Sequence, residues 1–310
     1  MATSLGRDVC DLSSLYSSEY TYCIPKDLVE GFLSGAALGQ RYSVEEVQNL
    51  RQDIDAIYKR VLSIDPLCKK SVIITAGAPG AGKTTQLVQE LEKKSSKNKR
   101  YAYICPDDVC LRHQERTYQV DLAREDQSPL EVYDKWRAGS NAAMHVILAH
   151  LIRDGFSFAW GTTGCGLVAD KLFPFIKEQG YRIKLIHVSA SDETRLSSVQ
   201  ERNKTFVQVT EQNAKEKGVV FPQKMGPLFL KYADKIDFYY RGGAREDAIF
   251  VAKWKRNDSF LGSLGILRVL APPEYDKIKA IHNAAITLLK RPDLSWESTV
   301  EQSSSCSVVV

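Results

Sequence analysis

The sequence predicts an α/β fold: a doubly wound, mainly parallel sheet of the phosphate-loop type, with an N-terminal helical extension and a C-terminal helix. Three observations carry this. An apolar, β-branched run from Ser71 opens directly into a glycine-rich turn and a helix signal. Strand-like and helix-like stretches then alternate as far as about Arg241. The polar residues with chemistry to offer fall just after the strands, at the edge where such sheets hold ligands.

The turn reads Gly77-Ala78-Pro79-Gly80-Ala81-Gly82-Lys83-Thr84-Thr85. Gly77, Gly82, Lys83 and Thr84 stand at the spacing of a phosphate loop. Glycines let the backbone curl until successive N–H groups point at one anion, and the following helix adds its positive end. Lys83 supplies a mobile charge for β- and γ-phosphates, and Thr84 a hydroxyl for Mg²⁺. A plain flexible turn would not need strand, turn, Lys-Thr and helix to agree. The chain is expected to bind a nucleoside triphosphate.

A length of 310 residues allows one large α/β domain with additions, and 44% hydrophobic with 26% charged residues is the balance of a water-soluble globular protein. A net charge of +4 without clustered Lys/Arg argues against a groove for long nucleic acid. No run is long and apolar enough for a membrane span, and Met1 to Tyr22 lacks the apolar segment of a secretory signal. Seven scattered cysteines, never spaced Cys-x-x-Cys, suit reduced thiols and a cytoplasmic location. The expected boundaries are residues 1–70 for the irregular start and helical extension, 71–255 for the core, and 256–310 for a C-terminal helix and disordered tail.

Residues before about Pro25 read as irregular. Between Ser43 and Ile64, apolar residues recur at three and four with Ser43 and Glu46 set as a capping box, so a helix is expected. Its nearest partner in sequence is the sheet that starts at Ser71. After the phosphate loop come a helix to Lys94 and a strand from Arg100 to Cys105. A second capping box, Ser128-Pro129-Leu130-Glu131, opens a helix to about Arg153, which stops at Gly155. Strand Phe156–Trp160, a helix from Leu167 to Glu178, strand Arg182–Val188 and helix Asp192–Arg202 follow. Strands are expected at Lys235–Tyr240 and Ala248–Trp254, the latter alternating like an edge strand, and a helix at Glu274–Leu289.

Asp107 and Asp108 close the strand after the phosphate-loop helix, where a carboxylate can accept the proton of an attacking hydroxyl; turn and cap duty is the plainer reading. Arg202, at a helix end, either neutralises the transferred phosphoryl group or caps a helix in solvent. Lys215 and Lys217 lie in a polar stretch that fits a lid over the nucleotide or a solvated charge run. Arg112 and His113 follow the aspartates and can line an acceptor pocket. Thr162 and Thr163, in Gly161-Thr162-Thr163-Gly164, place hydroxyls at a strand end for a polar substrate or for capping.

Taken in order, these segments resemble the zeta-toxin kinases. The phosphate loop, Asp107 with Arg112-His113, the Asp154-Gly155 to Gly161-Thr162 block, Gly180-Tyr181, Glu201-Arg202 and Ala233-Asp234 carry the likeness, over roughly Ser71 to Arg241. The resemblance implies transfer of the γ-phosphoryl of ATP to the sugar 3′-hydroxyl of UDP-N-acetylglucosamine or a related amino sugar. It makes Asp107 the base, Lys83 and Thr84 the phosphate and Mg²⁺ ligands, Thr162 a substrate contact, Arg202 the neutralising arginine, and Lys215 a stand-in for a lid arginine. It also raises a neutralising protein partner. One position departs: the family's Glu before Gly-Thr is Trp160 here, which has no acceptor for sugar hydroxyls but has a ring to stack. The alternatives are a nucleoside, nucleotide or polynucleotide-end kinase, and a non-catalytic nucleotide-binding switch.

Overall fold

The computed structural model describes residues 9–10, 12–16, 28, 42–164, 169–256, 265–269 and 306–309. In chain order they form β1 (Val9–Cys10), a 3-10 turn (Ser13–Tyr16), β2 (Tyr42–Ser43), α1 (Val44–Leu62), β3 (Ser71–Ala76), α2 (Lys83–Ser95) and β4 (Ala102–Ile104). A π-helical turn (Pro106–Leu111), α3 (Tyr118–Leu122), α4 (Pro129–Arg153), β5 (Phe158–Trp160) and α5 (Ala169–Glu178) follow. Next come β6 (Arg182–Ala190), α6 (Asp192–Asn203), α7 (Glu211–Lys224) and a second π-helical turn (Met225–Leu230). The last elements are β7 (Lys235–Arg241), β8 (Ile249–Arg256), β9 (Gly265–Val269) and β10 (Cys306–Val309).

These residues gather into two compact units that are not contiguous in sequence. One takes the described residues up to Lys70 with Lys99–Ala159; the other takes Ser71–Asn98 and the described residues from Trp160 onward.

The first unit is built around α4. Both of its expected start signals are made: Ser128 accepts from the Glu131 amide, and the Glu131 carboxylate accepts from the Ser128 amide. Trp136, Ala142, Met144, His145 and Leu148 are buried, so the helix is enclosed on several sides. Helix α1 starts with the expected box at Ser43 and Glu46 and buries Leu50, Ile54 and Ile57. Its partners are α4, β4 and the Pro106–Leu111 turn, within its own unit. Proximity in sequence to Ser71 thus did not identify α4 as its partner. Close approach is possible because Gly139 of α4 has no side chain; a Cβ there would lie 3.1 Å from Leu50 Cδ2. Two buried carboxylates tie this unit together. Asp121 accepts from Trp136 Nε1 at 2.7 Å and Lys135 Nζ at 2.6 Å. Asp53 accepts from the Arg116 amide and from Thr117 Oγ1 at 2.8 Å. Burial raises the Asp53 pKa against those hydrogen bonds.

In the second unit the strands run in the order β10-β9-β8-β7-β6-β3. Strand β3 pairs parallel with β6, and β6 parallel with β7. Val72, Ile73 and Ile74 are at most 1% exposed, the continuous apolar pattern of a strand covered on both faces. Parallel partners need crossovers, and α6 and α7 supply one between β6 and β7. The short link from β7 to β8 instead makes an antiparallel pair. Asp234 fixes the start of β6: it accepts from the Ile183 amide at 2.7 Å and from Lys177. Strand β10 pairs with β9, so Cys306–Val309 is a strand where the sequence reads as a free tail; β-branched Val308 and Val309 suit that pairing. The helix expected at residues 274–289 lies outside the described residues. Among the described residues no helix is long and apolar enough to cross a membrane.

Candidate phosphate-binding and catalytic site

Strand β3 ends at Ala76, and the chain turns through Gly77, Gly80 and Gly82 at φ of 144°, 82° and 97°. Two of these have no room for a side chain. A Cβ on Gly77 would stand 2.3 Å from the Val188 carbonyl oxygen, and one on Gly80 2.2 Å from that of Arg195. The loop is thereby wedged between β6 and α6. Its amide at Gly77 donates to the Thr163 carbonyl at 3.2 Å. Helix α2 begins at Lys83 with Gly82 as its N-cap, which brings no side chain to the first-turn amides. Those N–H groups and the helix dipole are left for an anion. Lys83 Nζ donates back to the Ala78 carbonyl at 2.9 Å, spanning the loop, and Thr84 and Thr85 are exposed beside it.

Two arginines outside the sequence motif hold this loop. Arg195 of α6 is 3% exposed and donates to the Pro79 carbonyl at 3.1 Å and the Ala214 carbonyl of α7 at 3.4 Å, while Asp192 pairs with it at 2.7 Å. It is a strut that joins the loop to α6 and α7. Arg241, the last residue of β7, donates to the Gly80 carbonyl at 2.8 Å and to Ser198 Oγ. Its guanidinium lies against Gly82, and its buried Nε has no hydrogen-bond partner among the described residues. Burial lowers its pKa. Arg202 sits half-buried in the last turn of the same helix as Arg195. Lys215 is on α7, a regular helix, and pairs with Glu211 one turn back at 2.8 Å; both are about half exposed. That is the solvated-face reading of Lys215; the lid reading has only its place in this unit.

The Gly161–Gly164 segment is bound to the phosphate-loop strand. Thr75 Oγ1 donates to the Thr162 carbonyl and accepts from the Thr162 amide, both at 2.8 Å. Thr162 Oγ1 accepts from the Gly164 amide at 3.1 Å, so this hydroxyl braces its own turn. Thr163 stays half-buried beside Gly77. Trp160 is 4% exposed and packs at 6.3 Å between ring centroids on Phe173, which packs in turn on Phe229 at 5.4 Å. Trp160 is the last residue of β5, and its indole packs within an aromatic cluster rather than at the surface.

In the first unit Asp107 and Asp108 open the π-helical turn after β4. Asp107 Oδ1 accepts from Arg137 of α4, and Oδ2 accepts no hydrogen bond among the described residues. Burial alone would lower the Arg137 pKa, but Asp107 and then Tyr133 outweigh it and the pKa rises. Arg112, just after the turn, is exposed and its amide donates to the Asp107 carbonyl at 3.2 Å. Asp53 anchors Arg116 and Thr117 a few residues on, which fixes this loop. Asp107 is therefore an oriented carboxylate on a braced turn. Arg137, Arg195 and Arg241 escaped sequence reading, since each comes from an element remote in sequence from the group it serves.

A parallel strand pair, β3 with β6, from which β3 delivers a wedged Gly-Lys-Thr loop to a helix N-terminus is the arrangement of the phosphate-loop kinase-like class of phosphotransferase folds. The family model described as Zeta toxin matches residues 55–218, more than half of the chain. The chain belongs to the zeta-toxin family. Two solved structures agree on the fold. The native AvrRxo1-ORF1:ORF2 complex is 14% identical, covers 68% of this chain and 68% of its own, and has a TM-score of 0.51. The same complex with ATP is 12% identical over the same shares, with a TM-score of 0.50. A structure from work on the PezAT toxin–antitoxin system of Streptococcus pneumoniae is 16% identical over 80% of this chain and 98% of its own, with a TM-score of 0.48. No curated relative matches the chain.

Proposed function

We propose that the protein transfers the γ-phosphoryl of ATP to a hydroxyl of a small acceptor, with UDP-N-acetylglucosamine or a related sugar nucleotide as the acceptor class to test first. The observation that carries this reading is the wedged loop with Lys83 at its end and uncapped amides in front of it. A neighbour of the same fold was solved with ATP, which supports the choice of nucleotide.

Lys83 and the loop amides hold the β- and γ-phosphates. Among the described residues no cluster of three or more His, Cys, Asp or Glu could hold a metal alone, so Mg²⁺ would be held by Thr84 with the triphosphate's own oxygens. Bound there, the ion neutralises charge on the phosphoryl oxygens. Asp107 Oδ2 takes the acceptor's proton as the hydroxyl oxygen attacks the γ-phosphorus. The bond to the bridging oxygen breaks, and ADP leaves. Arg137 fixes Asp107 for that role, and Arg202 stands as the neutralising arginine. Asp108 and Arg112 in the first unit, and Thr163 in the second, are assigned to the acceptor. A neutralising protein partner belongs to the same proposal; the AvrRxo1 neighbours are themselves ORF1:ORF2 complexes.

The experiment is ATP consumption against a panel of acceptors, sugar nucleotides beside nucleosides, nucleotides and polynucleotide ends, with wild type and Asp107→Asn. Asparagine keeps the shape but cannot take a proton at neutral pH, so turnover should fall by about a hundredfold or more with ATP binding nearly unchanged. Slow hydrolysis that ignores every acceptor would point to a switch and sink the transferase reading. If Asp108→Asn is the dead variant instead, the two aspartates exchange roles.

Arg241 gives a separate check. Its guanidinium lies against Gly82 and holds the Gly80 carbonyl, so its charge stands beside the anion-binding loop. Arg241→Ala should weaken ATP binding on the order of tenfold or more, the weight of a charge-assisted hydrogen bond. Isothermal titration reads this; unchanged affinity would make Arg241 a structural brace only.

A further inference from the structure

A groove of about 400 Å³ opens in the second unit between α2 and the β7–β8 pair. Lys235, Asp237 and Tyr239 alternate along β7 and so share one face. Across the pair, Asp237 faces Lys253 and Tyr239 faces Phe250. Phe250 and Lys253 would lie on opposite faces of a regular strand, but the bulge between them brings both into the groove. Lys93 closes it from α2.

Three features of this groove are those of a ligand site. The rings of Tyr239 and Phe250 lie 5.3 Å apart, and Phe250 is 39% exposed, so part of its ring is open to a stacking partner. Lys93, Lys235 and Lys253 face one carboxylate, Asp237, so the lining carries a positive excess. Asp237 is 4% exposed; its Oδ2 takes Lys184 at 2.9 Å and Lys235 at 2.8 Å, while the buried Oδ1 has no hydrogen-bond partner among the described residues. The carboxylate thus holds Lys235 in place at the groove wall.

We propose that this groove is a second nucleotide site, in which a base stacks on Phe250 and Tyr239 and sends its phosphate to Lys93 and Lys253. The phosphates held at Lys83 do not serve it. Lys93 stands ten residues further along α2, about 15 Å at 1.5 Å per residue. The groove is of a size that holds a mononucleotide. Such a site would let a nucleotide bind without occupying the phosphate loop.

The test is calorimetric titration of the full chain with AMP and with GMP, in wild type and in Lys83→Ala, which removes the phosphate-loop charge. Saturable binding of at least one nucleotide is expected in both proteins. Phe250→Ala and Lys253→Ala, at exposed and half-buried positions where the fold tolerates change, should each weaken it on the order of tenfold. Thermal melts confirm that both variants fold. Inorganic phosphate should bind more weakly, having no ring to stack. The proposal is overturned if Lys83→Ala abolishes the binding, if Phe250→Ala and Lys253→Ala leave it unchanged, or if phosphate alone binds as tightly.

Discussion

Lys83→Ala is expected to reduce phosphotransfer by on the order of a hundredfold to a thousandfold while the melting temperature of the free protein hardly moves. The asymmetry follows from where the ammonium sits. It is half-buried at the mouth of the loop, and its hydrogen bond goes to a carbonyl of that same loop, so the apolar core loses nothing with it. What is lost is the charge that meets the β- and γ-phosphates as negative charge builds on them. The thermal shift produced by Mg·ATP should shrink in parallel, because that shift reports differential binding to the folded state. Turnover and melting curves, with and without nucleotide, check both halves. Full activity in this variant would remove the basis of the phosphotransferase reading. A collapse of stability without nucleotide would mean that Lys83 is a structural brace.

The phosphate loop was legible because its chemistry is local: the glycines, the lysine and the threonine are neighbours in the chain, and spacing alone encodes the turn. Both capping boxes were legible for the same reason, and α1 and α4 begin where Ser43 and Ser128 say. What could not be read is what the fold brings from afar. Helix α1 announces an apolar stripe but not that α4 will cover it. Arg137 is one arginine among many until the structure sets it against Asp107. Arg195 and Arg241 look like ordinary helix and strand residues, yet they hold the loop through backbone carbonyls, which carry no side-chain signature. The bulge that turns Phe250 and Lys253 to one face is likewise a tertiary adjustment with no glycine to mark it. Thr162 was visible as a hydroxyl at a strand end, but only the structure shows that hydroxyl engaged within its own turn.

Trp160 is where sequence reasoning and structure part most sharply, and it carries the other large expected effect. From sequence, Trp160→Glu restores the residue usual in the family and should improve the handling of a sugar nucleotide. From structure, it places a carboxylate where an indole is 4% exposed against Phe173. Losing the ring costs about 3–5 kcal/mol, the range for large-to-small changes at buried aromatics. The new charge adds the desolvation of a carboxylate placed among aromatic rings. Domains of this kind are stable by about 5–15 kcal/mol in total, so much of the margin goes. The expected result is a protein that melts well below wild type or fails to accumulate folded, with no gain on UDP-N-acetylglucosamine. Trp160→Phe, which keeps an aromatic ring in the cluster, should cost less than Trp160→Glu and retain the wild-type acceptor profile. Denaturant melts of the two variants beside wild type separate these effects from catalysis. A stable Trp160→Glu protein with raised activity on the sugar nucleotide would show that the side chain at this position reaches the acceptor after all, and that its packing in the core is dispensable.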